Sequence, residues 1–156
     1  MIIDSAGASD IDALADLLGV LFLQETEFTP NKVLQKRALE RIISDPLIGY
    51  VLCARNRVEE EATKNSIVLV GMVSLLFTQS TALGAKVAIL EDMIVAPEFR
   101  GCGVGSQLLN AAVDLAENLG CKRITLLTDK LNFDAQQFYE KHGFNRSNMT
   151  PFRRLL

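Results

Sequence analysis

Apolar positions recur along this chain with two periods, and the switches between them mark out the elements. Ile2 and Ile3 open a short strand. Ile11, Leu14, Leu17, Leu18, Leu21 and Phe22 then fall three or four apart, the spacing of one helical face, with Ser9-x-x-Asp12 as a start signal. Pro30-Asn31 precedes a second helical stripe, Leu34, Ala38, Leu39, Ile42 and Ile43, which Pro46 and Gly49 break. Tyr50–Ala54 reads as a short strand. The polar stretch 55–65, with the acidic run Glu59, Glu60 and Glu61, reads as a hairpin loop with a solvated surface. Ile67–Phe77 is nearly unbroken apolar sequence, as in a strand buried on both faces, and Lys86–Val95 is a further strand that ends at Pro97. The helical period returns with Val104, Leu108, Ala111, Ala112, Leu115 and Leu119, and Gly120 is placed to stop that helix. Arg123–Thr128 is a strand and Phe133–His142 a short helix ended by Gly143. Phe144–Leu156 is predicted to hold one or two final strands, with Pro151 at an edge or bend.

The order β-α-α-β-β-β-α-β-α-β predicts an antiparallel meander over 50–95 and a right-handed β-α-β crossover over 86–128. The expected fold class is mixed α/β: a central, largely antiparallel sheet with helices on both faces. A length of 156 residues, 49% of them apolar, suits one domain over 1–156. Sixteen basic against 19 acidic residues leave a net charge of −3, which argues against a general nucleic-acid or anionic-membrane surface. No apolar run approaches the ~20 residues of a membrane-spanning helix, and the amino terminus, with Asp4 and no basic region, does not read as a signal peptide. Cys53, Cys102 and Cys121 form no C-x-x-C unit and His142 is the only histidine, so no metal site is expected. Together these features predict a cytoplasmic protein.

The most informative stretch is Arg100-Gly101-Cys102-Gly103-Val104-Gly105, between a strand and an amphipathic helix. Glycines let backbone approach a ligand, and a helix start offers unpaired N–H groups, a combination suited to a phosphate. No lysine follows as in a nucleotide-binding P-loop. Neither Gly101-x-Gly103 nor Gly103-x-Gly105 continues into a dinucleotide fingerprint. The alternative is a glycine-rich turn that merely joins strand to helix.

Arg100-x-x-Gly103-x-Gly105 is similar to the [QR]-x-x-G-x-[GA] signature of the GCN5-related N-acetyltransferases. Leu90-Glu91-Asp92-Met93-Ile94-Val95-Ala96-Pro97-Glu98-Phe99 resembles that family's fourth strand and its exit. Asn132-x-x-Ala135-x-x-Phe138-Tyr139-x-x-x-Gly143-Phe144 resembles its later motif. Within the family, the strand and loop look most like the diamine acetyltransferases. The resemblance implies acetyl-coenzyme A as cosubstrate, with its pyrophosphate on backbone N–H groups from Arg100, Gly101, Cys102, Gly103, Val104, Gly105 and Ser106. It also implies a pantetheine arm paired with the backbone of Met93, Ile94 and Val95, where two parallel strands splay apart. Asn132 would hydrogen-bond that arm, and Phe138 would pack beside it. Cys102 stands where relatives often carry a basic residue, which weakens one phosphate contact.

Acetyl transfer to an amine needs a group to take the ammonium proton and a proton for the departing thiolate. Tyr139 is the candidate acid. Its other reading is a half-buried tyrosine that only packs. Glu91 is the candidate base. Strict alternation would place it on one strand face with Val87, Ile89, Met93 and Val95, apolar neighbours that disfavour its charge. Its other reading is a structural ion pair, with Arg123 for example. Asp92 would point to the opposite face unless a bulge intervenes. His142 reads as a helix-terminal residue. Glu25, Glu27 and Phe28, in the linker between the first two helices, suit a cationic acceptor or are simply a solvated linker.

The expected activity is transfer of acetyl to a small primary amine, such as a polyamine or basic amino acid. An aminosugar, a protein amino terminus, or a non-catalytic coenzyme A-binding module are the alternatives. A homodimer is the expected assembly.

Overall fold

The computed structural model describes residues 1–24, 27–60 and 64–156. The elements run β1 (Ile2–Ser5), α1 (Ile11–Phe22), α2 (Lys32–Ser44), β2 (Gly49–Glu60), β3 (Lys64–Ser80), β4 (Ala85–Val95), α3 (Val104–Asn118), β5 (Ile124–Leu126) and α4 (Phe133–Lys141). The five strands form one sheet in sequence order. All neighbours are antiparallel except β4 and β5, which the α3 crossover makes parallel.

Both faces of the sheet are covered, which explains why its central strands read as unbroken apolar sequence. Along β2, Val51 and Cys53 face α1 and α2, while Leu52 and Ala54 face α3. Leu14, Leu18 and Leu39 pack with Met72 and Ile94 on the first face. Val104, Leu108, Leu109 and Ala112 pack with Val73, Leu75, Ala88 and Leu90 on the second. The stripe predicted for 104–119 is therefore the buried face of α3. Gly120 closes that helix at φ 77°, the left-handed conformation expected of it.

Four expectations are corrected. Residues 55–60 and 64–65 are not loop: β2 and β3 continue through them as a two-stranded arm, with Glu60 in register with Lys64. Cross-strand pairing without Gly or Pro to interrupt it outweighs polarity there; residues 61–63 lie outside the described residues. The segment 144–156 forms no strand. Pro151 lacks an amide donor, and β5 spans only three residues, a short edge on which to build. α1 does not start on Ser9 and Asp12. A 3₁₀ turn over Ala8–Asp10 leads into it, and Gly7 N–H donates to Asp10 Oδ2 at 2.8 Å, while Asp12 pairs with Lys36 at 2.9 Å. α2 is rotated from its predicted stripe: Gln35 and Leu39 are buried, and Leu34 and Ala38 are exposed. The Gln35 amide lies 3.3 Å from both Ala15 O and Asn31 N, so a polar residue takes the inner face with its needs met. Asn31 caps α2 as its position predicts, accepting from Leu34 N–H at 3.2 Å.

Arg55 ties the start of the chain to the sheet. Its Nε donates to Asp4 Oδ1 at 2.7 Å, and its Nη1 and Nη2 donate to the two Asp10 oxygens at 2.8 and 2.9 Å. The guanidinium holds the Asp10 carboxyl below the usual range, and the two carboxylates raise the pKa of Arg55.

Candidate active site

β4 and β5 pair only over Ala88–Leu90 and Ile124–Leu126. β5 ends at Leu126, so among the described residues the last residues of β4, from Glu91 to Val95, have no strand partner on that side, which leaves a gap in the sheet. Ala96 N–H donates to Val70 O at 2.8 Å, one step out from the Gly71–Val95 pair. Val95 is thus a non-hydrogen-bonded partner of Gly71, and its own N–H and carbonyl point away from β3 towards the gap. Arg100 Nε donates to that carbonyl at 3.0 Å, folding the glycine loop back onto the strand.

The loop after β4 has the form a phosphate cradle needs. Gly101 and Gly103 have φ of 75° and 80°, and a Cβ built on either would meet nothing within 4 Å. These positions are open on the ligand side and demand left-handed backbone. Gly103 is the N-cap of α3, so the first-turn N–H groups of Val104, Gly105 and Ser106 follow it. Cys102 is exposed, with Sγ 3.6 Å from Arg100 O. Burial raises the Cys121 thiol and pushes the Cys53 thiol up to about 12.

α4 brings aromatic side chains to the same place. Phe138 lies against Gly105 and Met93: a Cβ on Gly105 would stand 3.6 Å from the Phe138 ring and 3.7 Å from Met93 Cε. Tyr139 packs edge-on to Phe138 and Phe144, and its hydroxyl donates to Met93 Sδ at 3.8 Å. Thioether sulfur is a weak acceptor, so the phenolic proton is held loosely beside Met93, on the unpaired end of β4. Burial pushes the Tyr139 hydroxyl above the ordinary tyrosine range, which keeps it protonated. Asn132 caps α4, its side-chain oxygen accepting from Ala135 N–H at 3.0 Å.

A bulge sets the direction of Glu91. Ser74 pairs with Glu91 but Met72 pairs with Ile94, so β4 carries one extra residue there, and Asp92 takes φ 50°. The insertion reverses the alternation. Met93 and Val95 join Ala88 and Leu90 on the α3 face, and Ile94 turns to the α1 face. Glu91 therefore does not share a face with Met93 and Val95, as strict alternation predicts, and it is exposed rather than set among apolar neighbours. Among the described residues it has no ion pair, with Arg123 or any other cation.

Of the linker residues, Glu25 lies outside the described residues. Glu27 pairs with Arg153 of the carboxy-terminal segment, whose guanidinium also sits 5.5 Å from the centre of the Phe28 ring. Glu27 and Phe28 are thus brought together as a cation-binding pair, though the cation is one of the chain's own.

Two contacts escape a reading of the sequence. His142 Nδ1 is 2.7 Å from Phe138 O, so that nitrogen carries the proton, and Nε2 accepts from the Ser106 hydroxyl at 3.0 Å. The histidine that reads as a helix-terminal residue thereby links α4 to the first turn of α3. The Ser74 hydroxyl is buried without a hydrogen-bond partner. Its only signal in the sequence is that it is the lone polar residue inside the run Val68–Phe77.

Comparison with known proteins agrees with this geometry. An uncharacterised N-acetyltransferase, YhfO, from Bacillus subtilis is 37% identical over 75 residues, 48% of this chain and 50% of the relative. The aminoalkylphosphonate N-acetyltransferase of Salmonella typhimurium is 30% identical over 104 residues, 67% of this chain and 61% of the relative. The matches thus span about half to three-fifths of those relatives' own lengths. A crystal structure of a transcriptional regulator from Bacillus halodurans superposes with a TM-score of 0.79 at 28% identity, covering 99% of both chains. The family model for the acetyltransferase (GNAT) family matches residues 18–144, from α1 through the glycine loop to the end of α4, and the chain belongs to that family.

Proposed function

We propose that the protein is an acetyl-coenzyme A-dependent N-acetyltransferase acting on a small primary amine. The observation that carries this reading is the unpaired edge of β4 beyond Leu90, followed by the open glycine cradle and with the protonated Tyr139 hydroxyl on Met93 of that edge. The cradle N–H groups from Gly101 to Ser106 hold the pyrophosphate, and the Val95 N–H faces the arm of the cosubstrate. Tyr139 supplies the proton that the departing thiolate takes up. Glu91, exposed on the other side of β4, receives the proton that the acceptor ammonium must lose before it can attack.

For the acceptor we propose a cationic amine of the polyamine or basic amino acid class, as for diamine acetyltransferases. Support comes from Glu27 and Phe28, which already engage a guanidinium. The test is release of free thiol from acetyl-coenzyme A across a panel of diamines, basic amino acids, aminosugars, aminoalkylphosphonates and peptide amino termini. Turnover with diamines or basic amino acids is the expected result. Turnover confined to the phosphonates or aminosugars overturns the acceptor class but keeps the reaction. Binding with no turnover on any amine overturns the enzyme reading in favour of a coenzyme A-binding module.

A further inference from the structure

The helix that carries Tyr139 is only weakly anchored by the core. α3 buries Val104, Leu108, Leu109, Ala112 and Ala116, whereas α4 buries no residue fully. Apolar burial is the main force that holds one element against another, so α4 depends more than α3 on particular side-chain contacts. Phe138 and His142 lie four residues apart, on one face of the helix, and their rings are tilted with centres 4.4 Å apart. That face meets two consecutive residues in the first turn of α3. The Phe138 ring lies beside Gly105, where a Cβ would stand 3.6 Å from it, and His142 Nε2 is 3.0 Å from Ser106 Oγ. Nδ1 of the same imidazole is 2.7 Å from Phe138 O. A carbonyl only accepts, so Nδ1 donates to it and, in the neutral ring, Nε2 accepts the Ser106 proton. Both ring nitrogens are used, one within α4 and one across to α3, and the imidazole cannot turn without breaking a hydrogen bond. Tyr139 follows Phe138 directly, and its hydroxyl reaches Met93 Sδ at 3.8 Å. The cradle and the proposed acid are thus joined through Ser106, His142 and Phe138.

The geometry points to His142 as a positioning residue for the transfer: by tying the end of α4 to the first turn of α3, it sets where the Tyr139 hydroxyl stands relative to a cosubstrate cradled on that turn. This inference rests on the acetyltransferase reading above and adds a residue to it. A proton donor must come within about 2.6–3.2 Å of the atom it serves. A misplacement of about 1 Å, caused by a change that touches no reacting atom, costs up to about 10²-fold in rate. The contact of Tyr139 with a thioether sulfur is long and weak, so it does not hold the phenol to that precision. The His142 bridge does, because it is made at ordinary hydrogen-bond lengths at both ends. His142 gives up no proton in this role. Its Nδ1–H stays on Phe138 O, its Nε2 stays on the Ser106 hydroxyl, and the proton taken up by the departing thiolate comes from Tyr139.

The test measures kcat with the best amine of the panel, and equilibrium affinity for acetyl-coenzyme A, in His142→Leu, Ser106→Ala and Tyr139→Phe and in their pairwise combinations. Leucine keeps apolar contact with Phe138, and alanine at 106 keeps the backbone N–H of the cradle. Each change at 106 or 142 should lower kcat roughly tenfold and leave the affinity within about twofold, because placement of the acid matters in the transition state and not in cofactor binding. The 106/142 pair should lose no more than either change alone, since both cut one bridge. In the Tyr139→Phe background neither change should cost anything further in kcat, because no hydroxyl remains to be placed. A merely structural role predicts something else: the same fractional loss of kcat with or without the hydroxyl, together with weaker binding of acetyl-coenzyme A. That pattern overturns the inference, as does wild-type kcat in His142→Leu or in Ser106→Ala. Should His142→Leu not fold, Ser106→Ala with and without Tyr139→Phe makes the same comparison. If Tyr139→Phe itself loses nothing, the positioning role falls together with the acid, while turnover by the wild type still upholds the acetyltransferase reading. Absence of wild-type turnover across the whole panel overturns both.

Discussion

The role proposed for Tyr139 depends on one proton on one oxygen. Tyr139→Phe keeps the ring that packs on Phe138 and Phe144 and removes only the hydroxyl that reaches Met93. We expect kcat to drop by about 10²–10⁴-fold with the affinity for acetyl-coenzyme A nearly unchanged, measured by steady-state kinetics beside equilibrium binding. Wild-type kcat in the phenylalanine variant assigns Tyr139 to packing. Burial raises the pKa of this phenol, so its loss of a proton should limit kcat only above the ordinary tyrosine value of about 10. Arg55 gives a second test at this scale. Arg55→Met keeps an apolar stem and removes the four hydrogen bonds to Asp4 and Asp10. Asp10 titrates lower in the folded protein than in the unfolded chain. Its contribution is therefore present above the unfolded value of about 3.9 and is lost as pH falls through the lower folded value. The variant should be less stable by about 1–3 kcal/mol at pH 7 in urea unfolding, and the difference from wild type should narrow below about pH 4.

At the scale of an element, the glycine loop and the strands make different demands on glycine. Gly103 needs left-handed backbone at the start of α3 and stands open to a ligand. Gly103→Val places a branched side chain both in strained backbone and in the path proposed for the pyrophosphate. We expect a folded variant whose thermal midpoint no longer rises with acetyl-coenzyme A. An unchanged rise moves the cofactor away from this loop. Gly49 in β2 is required for space instead. A Cβ there would lie 2.2 Å from Leu75 O, a backbone atom that cannot move without disturbing the β2–β3 ladder. Gly49→Ala should cost about 1–3 kcal/mol in urea unfolding, yet leave the midpoint shift with acetyl-coenzyme A in place. Unaltered stability would mean that the β2–β3 ladder yields more easily than its pairing implies.

For the whole molecule, the design is a sheet covered on both faces and opened at one seam. The seam exists because β5, made parallel to β4 by the α3 crossover, stops at Leu126, while β4 runs on past Leu90 through the bulge at Asp92 to Val95. Met93 of β4, Gly105 of the first turn of α3, and Phe138 and Tyr139 of α4 then meet although they are far apart in sequence. A cosubstrate bound in that gap touches elements of the α3 side that otherwise meet only through the core. It should raise the thermal midpoint in proportion to the logarithm of its concentration once in excess, a dependence absent for a compound without the adenosine diphosphate portion. A midpoint indifferent to acetyl-coenzyme A removes the gap as a binding site.

What the residues determine by themselves is local. The helical spacing of Val104, Leu108 and Ala112 decides the inner face of α3, because period and burial are properties of one segment. The left-handed glycines at 101, 103 and 120 are legible for the same reason: only the residue's own sterics are involved. The order of elements and the loop that resembles an acetyltransferase signature follow from such local facts. What the tertiary structure decides is relative. Alternation along β4 assigns Glu91 to the face of Met93, yet pairing with β3 inserts one residue at Asp92 and sends the two side chains to opposite faces. The stripe on α2 names Leu34 and Ala38, yet packing against α1 turns Gln35 inward. Residues 55–60 look like loop until β3 pairs with them, and Phe144–Leu156 looks like strand until β5 proves too short to pair with. His142 meets Ser106, and Ser74 stands beside Glu91, only because strands and helices distant in sequence are brought into register. Periodicity reports which side of its own axis a residue occupies. Which neighbour lies on that side is set by one-residue shifts in pairing, and these depend on the energy of the whole sheet rather than on any segment of it.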